Sequence, residues 1–210
     1  FLAEPDLFVK IARTPADLAE VDGVILPGSK NVIADLKWLF GSGLAEALKK
    51  YSNKGREIVG ICGGFQMLGT SIEDPHHIES AGETLAGLGL LNLATVLEKD
   101  KTLVRQSGTH LASSLAVHGY EIHHGQSRAN RTCDTLTFRN GESGGVGNPE
   151  QTIWGTYLHG IFDADPFRRW FIDRLRQRRG LAPLKKVQAA YDLEPAFDRL
   201  AEAVRSQIDM

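Results

Sequence analysis

Cysteine is scarce in this chain. Two occur in 210 residues, Cys62 and Cys133. Two cannot build a disulfide framework, so a reducing cytoplasm is the expected compartment. Neither belongs to a Cys-x-x-Cys pair, and the adjacent histidines His76-His77 and His123-His124 have no evident third ligand. No metal site is expected. No apolar run approaches the ~20 residues that span a bilayer. The opening Phe1-Leu2-Ala3-Glu4-Pro5 has no basic leader followed by an apolar stretch. A surplus of one charge is missing too. There are 24 Lys+Arg against 26 Asp+Glu, a net of -2, which points to neither nucleic acid nor an anionic membrane as partner. The phosphate-binding pattern G-x-x-x-x-G-K-[ST] is absent, and Gly28-Ser29-Lys30 does not supply it. Internal repeats and low-complexity linkers are absent. The first residue is not Met, and the chain is expected to be part of something longer.

What is present is a core-forming composition, 42% hydrophobic, arranged as short apolar runs alternating with helical patterns. That alternation predicts a single α/β domain over 1–210. Strands are expected at Leu7–Ile11, Val24–Leu26 and Ile58–Ile61, the last apolar on both faces and therefore central in a parallel sheet. Helices are expected at Val32–Phe40, Leu44–Lys54 and from Phe65. From Leu88 onward the chain turns β-rich, with expected strands at Leu90–Leu97, Leu115–Ile122, Leu136–Phe138 and Thr152–Leu158, some antiparallel. Phe167, Trp170, Phe171 and Leu175 share one face of an amphipathic helix over Phe167–Arg178. A last helix is expected over Pro195–Ile208. Four glycines between Asn140 and Asn148 make that segment the expected mobile loop. The arginines at 168, 169, 174, 176, 178 and 179 suggest a solvated face or a docking surface.

Gly60-Ile61-Cys62-Gly63-Gly64-Phe65-Gln66 follows an apolar strand and precedes a helix. This is the G-x-nucleophile-x-G spacing of a strand–turn–helix elbow, with Cys as nucleophile. Side chains at 60 and 64 would crowd so sharp a turn. The helix N-terminus favours thiolate, and the Gly63 amide is free to bind an oxyanion. The same residues also fit a small buried Cys beside packing glycines. A nucleophile needs a base. His159 ends the expected strand Ile153–Leu158, and the C-terminal ends of parallel strands are where reactive groups gather. A lone histidine can equally cap or face solvent.

Leu26-Pro27-Gly28-Ser29-Lys30-Asn31 follows a strand and leads into a helix, so its amides, with Gly28 and Ser29 foremost, could complete an oxyanion hole. An ordinary strand-to-helix turn is the alternative. Gly119-Tyr120-Glu121-Ile122-His123-His124-Gly125 sets polar and aromatic groups beside a strand end, where Tyr120 and His123 either face substrate or support the fold.

In chain order Leu26–Asn31, Gly60-Ile61-Cys62-Gly63-Gly64-Phe65-Gln66-Met67-Leu68-Gly69, Gly119–His123 and Gly155-Thr156-Tyr157-Leu158-His159-Gly160 together resemble the C-terminal glutaminase-like domain of the cobyric acid synthase family. The resemblance runs from about residue 7 to about residue 180. It implies a three-layer, flavodoxin-like class I glutamine amidotransferase fold with a mostly parallel central sheet and added antiparallel strands. It implies that Cys62 attacks glutamine, that His159 is its base, that Gln66 contacts the bound glutamine, and that Gly28 and Gly63 form the oxyanion hole. The ammonia would go to carboxylates of adenosylcobyrinic acid a,c-diamide, a corrinoid. ATP and magnesium would serve a preceding synthetase domain, and this domain would need no cofactor. A glutaminase subunit that amidates a cell-wall lipid precursor shares the Cys-Gly-Gly motif, and a non-catalytic docking module is a further alternative. One position departs from many class I amidotransferases: Ile161 stands where they carry a Glu that completes a triad. Asp163 and Asp165 are expected to cap the next helix, and Glu121 to lend indirect support to His159.

Overall fold

The structure, a computed structural model, describes residues 1–130 and 132–208; Asp209 and Met210 lie outside the described part. In chain order the strands are β1 (Gly23–Leu26), β2 (Glu57–Ile61), β3 (Ser71–Glu73), β4 (Thr84–Ala86), β5 (Leu93–His110), β6 (Leu115–Ala129), β7 (Cys133–Phe138), β8 (Ser143–Gly147) and β9 (Ile153–Thr156). The helices are α1 (Val32–Gly41), α2 (Leu44–Ser52), α3 (Gly63–Met67), α4 (Asp165–Arg178) and α5 (Glu194–Gln207), with a 3₁₀ turn at Ile161–Asp163. Among the described residues the strands form one nine-stranded sheet in the order β1-β2-β9-β8-β7-β5-β3-β4, with β6 paired to β5.

One end of this sheet, starting from the edge strand β1, is parallel. β1, β2 and β9 run side by side, with Leu26 opposite Gly60 and Ile61 opposite Thr156. β2 shows why its sequence is apolar throughout. Ile58 packs with Leu36, Leu48 and Leu68 on one face, while Val59 packs with Trp154, Phe167 and Phe171 on the other. A strand covered on both sides has no polar face to offer. Beyond β9 the sheet is antiparallel except where β3 joins β5. The three-layer α/β expectation is met.

Three local expectations are not. Leu7–Ile11 adds no strand to β1, and Phe8 and Ile11 lie exposed. The residues just before this segment are held by two acids. Glu4 is buried and takes Arg168 Nε at 2.9 Å, and Asp6 takes two bonds from Arg169 at 3.0 Å. The glycine-rich 140–148 segment is not a loose loop, since β8 lies within it. Its glycines permit close approach: a Cβ at Gly145 would sit 2.7 Å from the Gly155 carbonyl oxygen, and one at Gly144 2.6 Å from the Phe138 ring. The arginines of α4 are not simply a solvated face. Arg174 and Arg178 lie 3.0 and 3.2 Å from the buried carboxylate of Glu57 and Arg176 reaches Asp6, while the side chains of Arg178 and of Arg179, just past the helix, stay exposed. Buried carboxylates demand partners, and α4 supplies them.

Removing one partner of a buried pair leaves its mate stranded, at a cost of about 3–5 kcal/mol. Arg168→Met should lower the urea-unfolding free energy by about that much, because Glu4 is 3% exposed and retains only a 3.5 Å contact with Arg169. Adding Glu4→Gln to the same protein should recover part of the loss. An Arg168→Met protein as stable as the parent would show that the N-terminal clamp contributes nothing.

Candidate active site

The C-terminal ends of β1, β2 and β9 open on one crevice. The chain leaves β2 at Cys62 with φ 50° and ψ −109°, a conformation that side-chain-bearing residues rarely adopt. The expected crowding is present. A Cβ at Gly60 would lie 2.7 Å from the Phe65 backbone, and one at Gly64 would overlap the Leu26 carbonyl. Cys62 N–H donates to Thr156 O at 2.8 Å and Gly64 N–H to Pro27 O at 3.0 Å, so the elbow is tied to both neighbouring strand ends.

The loop after β1 meets the elbow directly. A Cβ on Gly63 would lie 2.8 Å from the Ser29 amide nitrogen. The Ser29 hydroxyl is occupied, donating to Asp35 at 2.5 Å and accepting from the Asn31 amide at 3.0 Å, so the backbone is what Ser29 can offer a ligand. The Gly28 and Ser29 amides have no backbone acceptor among the described residues. Gly28 stands between the two reactive groups: a Cβ there would fall 2.9 Å from His159 Cε1 and 3.8 Å from Cys62 Cβ. A larger residue would occupy the space they share.

Burial governs the protonation states. It pushes the Cys62 thiol up to about 11, against a lowering hydrogen bond from the Gly63 amide and with Glu121 and Glu79 adding to the rise. The expectation of a thiolate is therefore reversed. α3 has only five residues, and desolvation outweighs its amides. The thiol lies 3.8 Å from Ile122 O, as a donor would. Burial also lowers His159. At neutral pH the resting pair is thiol and neutral imidazole.

Among the described residues no carboxylate is hydrogen-bonded to that imidazole. Its buried Nε2 has no hydrogen-bond partner among the described residues. Ile161, at the position of the usual Glu, is packed in the core at 1% exposure. Asp163 and Asp165 do not cap α4 as expected: the N-cap is Ala164, and Asp165 instead accepts from Arg168 and from the Tyr191 amide. Burial raises Glu121, with Gln106 acting against the rise and no influence from His159. The contact made with His159 comes from Tyr120. Their backbones form an antiparallel bridge, with bonds of 3.1 and 2.8 Å, and their rings stack at 5.2 Å and 10°.

Beneath the elbow lies a polar chain. Gln66 Nε2 donates to the Tyr157 hydroxyl at 3.3 Å, which bonds Ser127 Oγ at 2.6 Å, which bonds Thr95 Oγ1 at 2.7 Å. Gln66 Oε1 is buried with no partner among the described residues. His123 is buried, bonded to Gly125 O at 2.7 Å and stacked on Tyr157 at 3.7 Å, so its ring backs the group that holds Gln66. Thus Cys62, His159, Gly28, Ser29, Gly63 and Tyr120 come together, with Gln66 below them and His123 one layer further back. Tyr157 went unnamed as a site residue although it lies within the Gly155–Gly160 motif. Thr95 and Ser127 carry no local signal; only the β5–β6 register brings them there.

Residues 1–167 match the CobB/CobQ-like glutamine amidotransferase domain family. The chain belongs to that family. It is 49% identical over 210 residues to the adenosylcobalamin biosynthesis bifunctional protein CobDQ of Leptospira interrogans, covering 99% of this chain and 24% of that one. It is 43% identical to the cobyric acid synthase of Nitratidesulfovibrio vulgaris, covering 99% of this chain and 45% of the relative. The chain thus spans less than half the length of these relatives. A crystal structure of a glutamine amidotransferase superposes with a TM-score of 0.60 over 80% of this chain and 86% of that chain; at 16% identity it attests the fold. No described helix is long and apolar enough to cross a membrane.

The buried, protonated thiol has a direct consequence. Iodoacetamide needs thiolate and access. At pH 7 it should alkylate the exposed Cys133 well before Cys62, and the Cys62 rate should keep climbing with pH towards about 11. Peptide mapping over time reads both rates; faster loss of Cys62 at pH 7 would contradict the assignment.

Proposed function

We propose that the domain hydrolyses glutamine and supplies ammonia to an ATP-dependent amidation carried out by the rest of a longer protein, as in the cobyric acid synthases it resembles. The supporting observation is Cys62 in its strained elbow with the His159 imidazole converging on the same Gly28. In this reading Cys62 Sγ attacks the side-chain carbonyl carbon of glutamine while His159 accepts the thiol proton. The oxygen gains negative charge and meets the Gly63 amide together with those of Gly28 and Ser29. The C–N bond breaks as the imidazolium returns its proton to the leaving nitrogen, giving ammonia and a thioester. Water, deprotonated by His159, then cleaves the S–C bond and releases glutamate. Gln66 Oε1, the stranded acceptor, receives a donor from bound glutamine. The acceptor is adenosylcobyrinic acid a,c-diamide, amidated at a synthetase site that binds ATP and magnesium; this domain needs neither.

The order of alkylation should invert with a substrate-shaped reagent. An electrophilic glutamine analogue should label Cys62 and spare Cys133, because binding delivers the electrophile to the thiol and its base. In the full-length protein Cys62→Ser should abolish glutamine-dependent amidation and leave amidation with free ammonia intact. Labelling of Cys133, or glutamine-dependent activity in Cys62→Ser, sinks the reading.

The pH dependence follows from the direction of the His159 shift. His159 works as a base only when neutral, and burial lowers its pKa. kcat/KM for glutamine hydrolysis should therefore stay level around pH 7 and fall on an acid limb below about 6.5. Asp163→Asn should change the rate by less than about tenfold, or ~1.4 kcal/mol of barrier, whereas His159→Ala should cost far more.

A further inference from the structure

Accepting Cys62 and His159 as nucleophile and base, we infer that Tyr120 is the positioning residue of His159. In a nucleophile–base pair a third group commonly holds the imidazole in its working orientation. Among the described residues no carboxylate is hydrogen-bonded to it. Asp163 and Asp165 belong to the 3₁₀ turn and the start of α4, Asp165 is bound to Arg168, and Ile161 is in the core. What touches His159 is β6. The paired backbone bonds between Tyr120 and His159 fix where the imidazole starts. Gly119 permits this approach, because a Cβ there would overlap the His159 carbonyl oxygen. The Tyr120 ring, 10° from parallel, then covers one face of the imidazole, and Gly28 lies at its Cε1 edge. Rotation about the Cβ–Cγ bond would drive the imidazole out of the stack and lose that contact. The Tyr120 hydroxyl has no hydrogen-bond partner among the described residues, so the flat face is the part that acts.

The rival role is contact with substrate. Tyr120 is half-exposed and lines a groove of about 750 Å³ with Leu103 and His118. The two roles separate kinetically. A positioning residue acts on kcat, because a misoriented base slows proton transfer in bound substrate, whereas a substrate contact acts on KM. The backbone bridge survives any side-chain change at position 120.

Glutamate release should be measured in the full-length protein with Tyr120→Ala, Tyr120→Phe and Tyr120→Leu. Tyr120→Ala should lose roughly 30- to 100-fold in kcat, with KM for glutamine within about twofold of the parent. Tyr120→Phe, which keeps the face and drops the hydroxyl, should return to within about threefold. Tyr120→Leu keeps the volume without a flat face and should still lose at least about tenfold, which preserves the test if the Ala protein does not fold. A rise in KM at unchanged kcat, or a Phe variant as impaired as Ala, overturns the inference. Labelling of Cys62 by the glutamine analogue in the parent protein runs alongside. Its absence removes the glutaminase reading and this inference together. Its presence with unimpaired Ala and Leu variants removes this inference alone.

Discussion

The amide of Gly64 donates to Pro27 O at 3.0 Å, and its Cα lies so close to Leu26 that no Cβ could be accommodated. Through this backbone contact the turn after β2 leans on the turn after β1. Cys62 must then leave its strand at φ 50°, a strain of order 1–3 kcal/mol that persists only where the surroundings over-determine it. They do so here: β2 is buried on both faces, and Cys62 N–H is bonded to β9. The same contact sets Gly63 against Ser29, which brings the Gly63 amide and those of Gly28 and Ser29 to one point. Cys62 and these amides are thus placed by one constraint, and it is made of backbone.

Burial shapes the chemistry that this frame can host. An enclosed crevice makes each amide dipole worth more to a developing oxyanion. The same enclosure disfavours the separated charges of thiolate and imidazolium, raising Cys62 and lowering His159. The resting pair is neutral, and on the glutaminase proposed above its charges would belong to the reaction itself. A thiol in that state is guarded against adventitious alkylation and oxidation.

The parallel core and the elbow were legible because local pattern and tertiary role coincide there. Ile58–Ile61 is apolar on both faces because helices cover both, and Gly60 and Gly64 are glycines because backbone atoms occupy the space of their side chains. Where one residue type serves two ends, local reading failed. Glycines at 144, 145 and 147 suggest mobility, yet they let β8 lie tight between β7 and β9. The α4 arginines suggest a wet face until Glu4, Asp6 and Glu57 come to meet them from segments more than a hundred residues away. The direction of the thiol shift was missed because helix-dipole reasoning sees the turn and not the layers that bury it. The support beneath Gln66 depends on a strand register between residues 32 apart, which no local spacing encodes.

The absence of a third carboxylate fits the way the fold is closed at β9. Position 161 faces the cluster of Val117, Trp154, Leu158 and Phe167, and Ile161 is almost wholly enclosed by it. A carboxylate there would be desolvated among apolar neighbours, with its ionised form disfavoured. A serine nucleophile would make the omission costly, because its proton is far harder to remove. A thiol needs less help from its base. With Cys62 as the proposed nucleophile, the 3₁₀ turn is free to serve packing, and the backbone of β6 bridges to His159 instead.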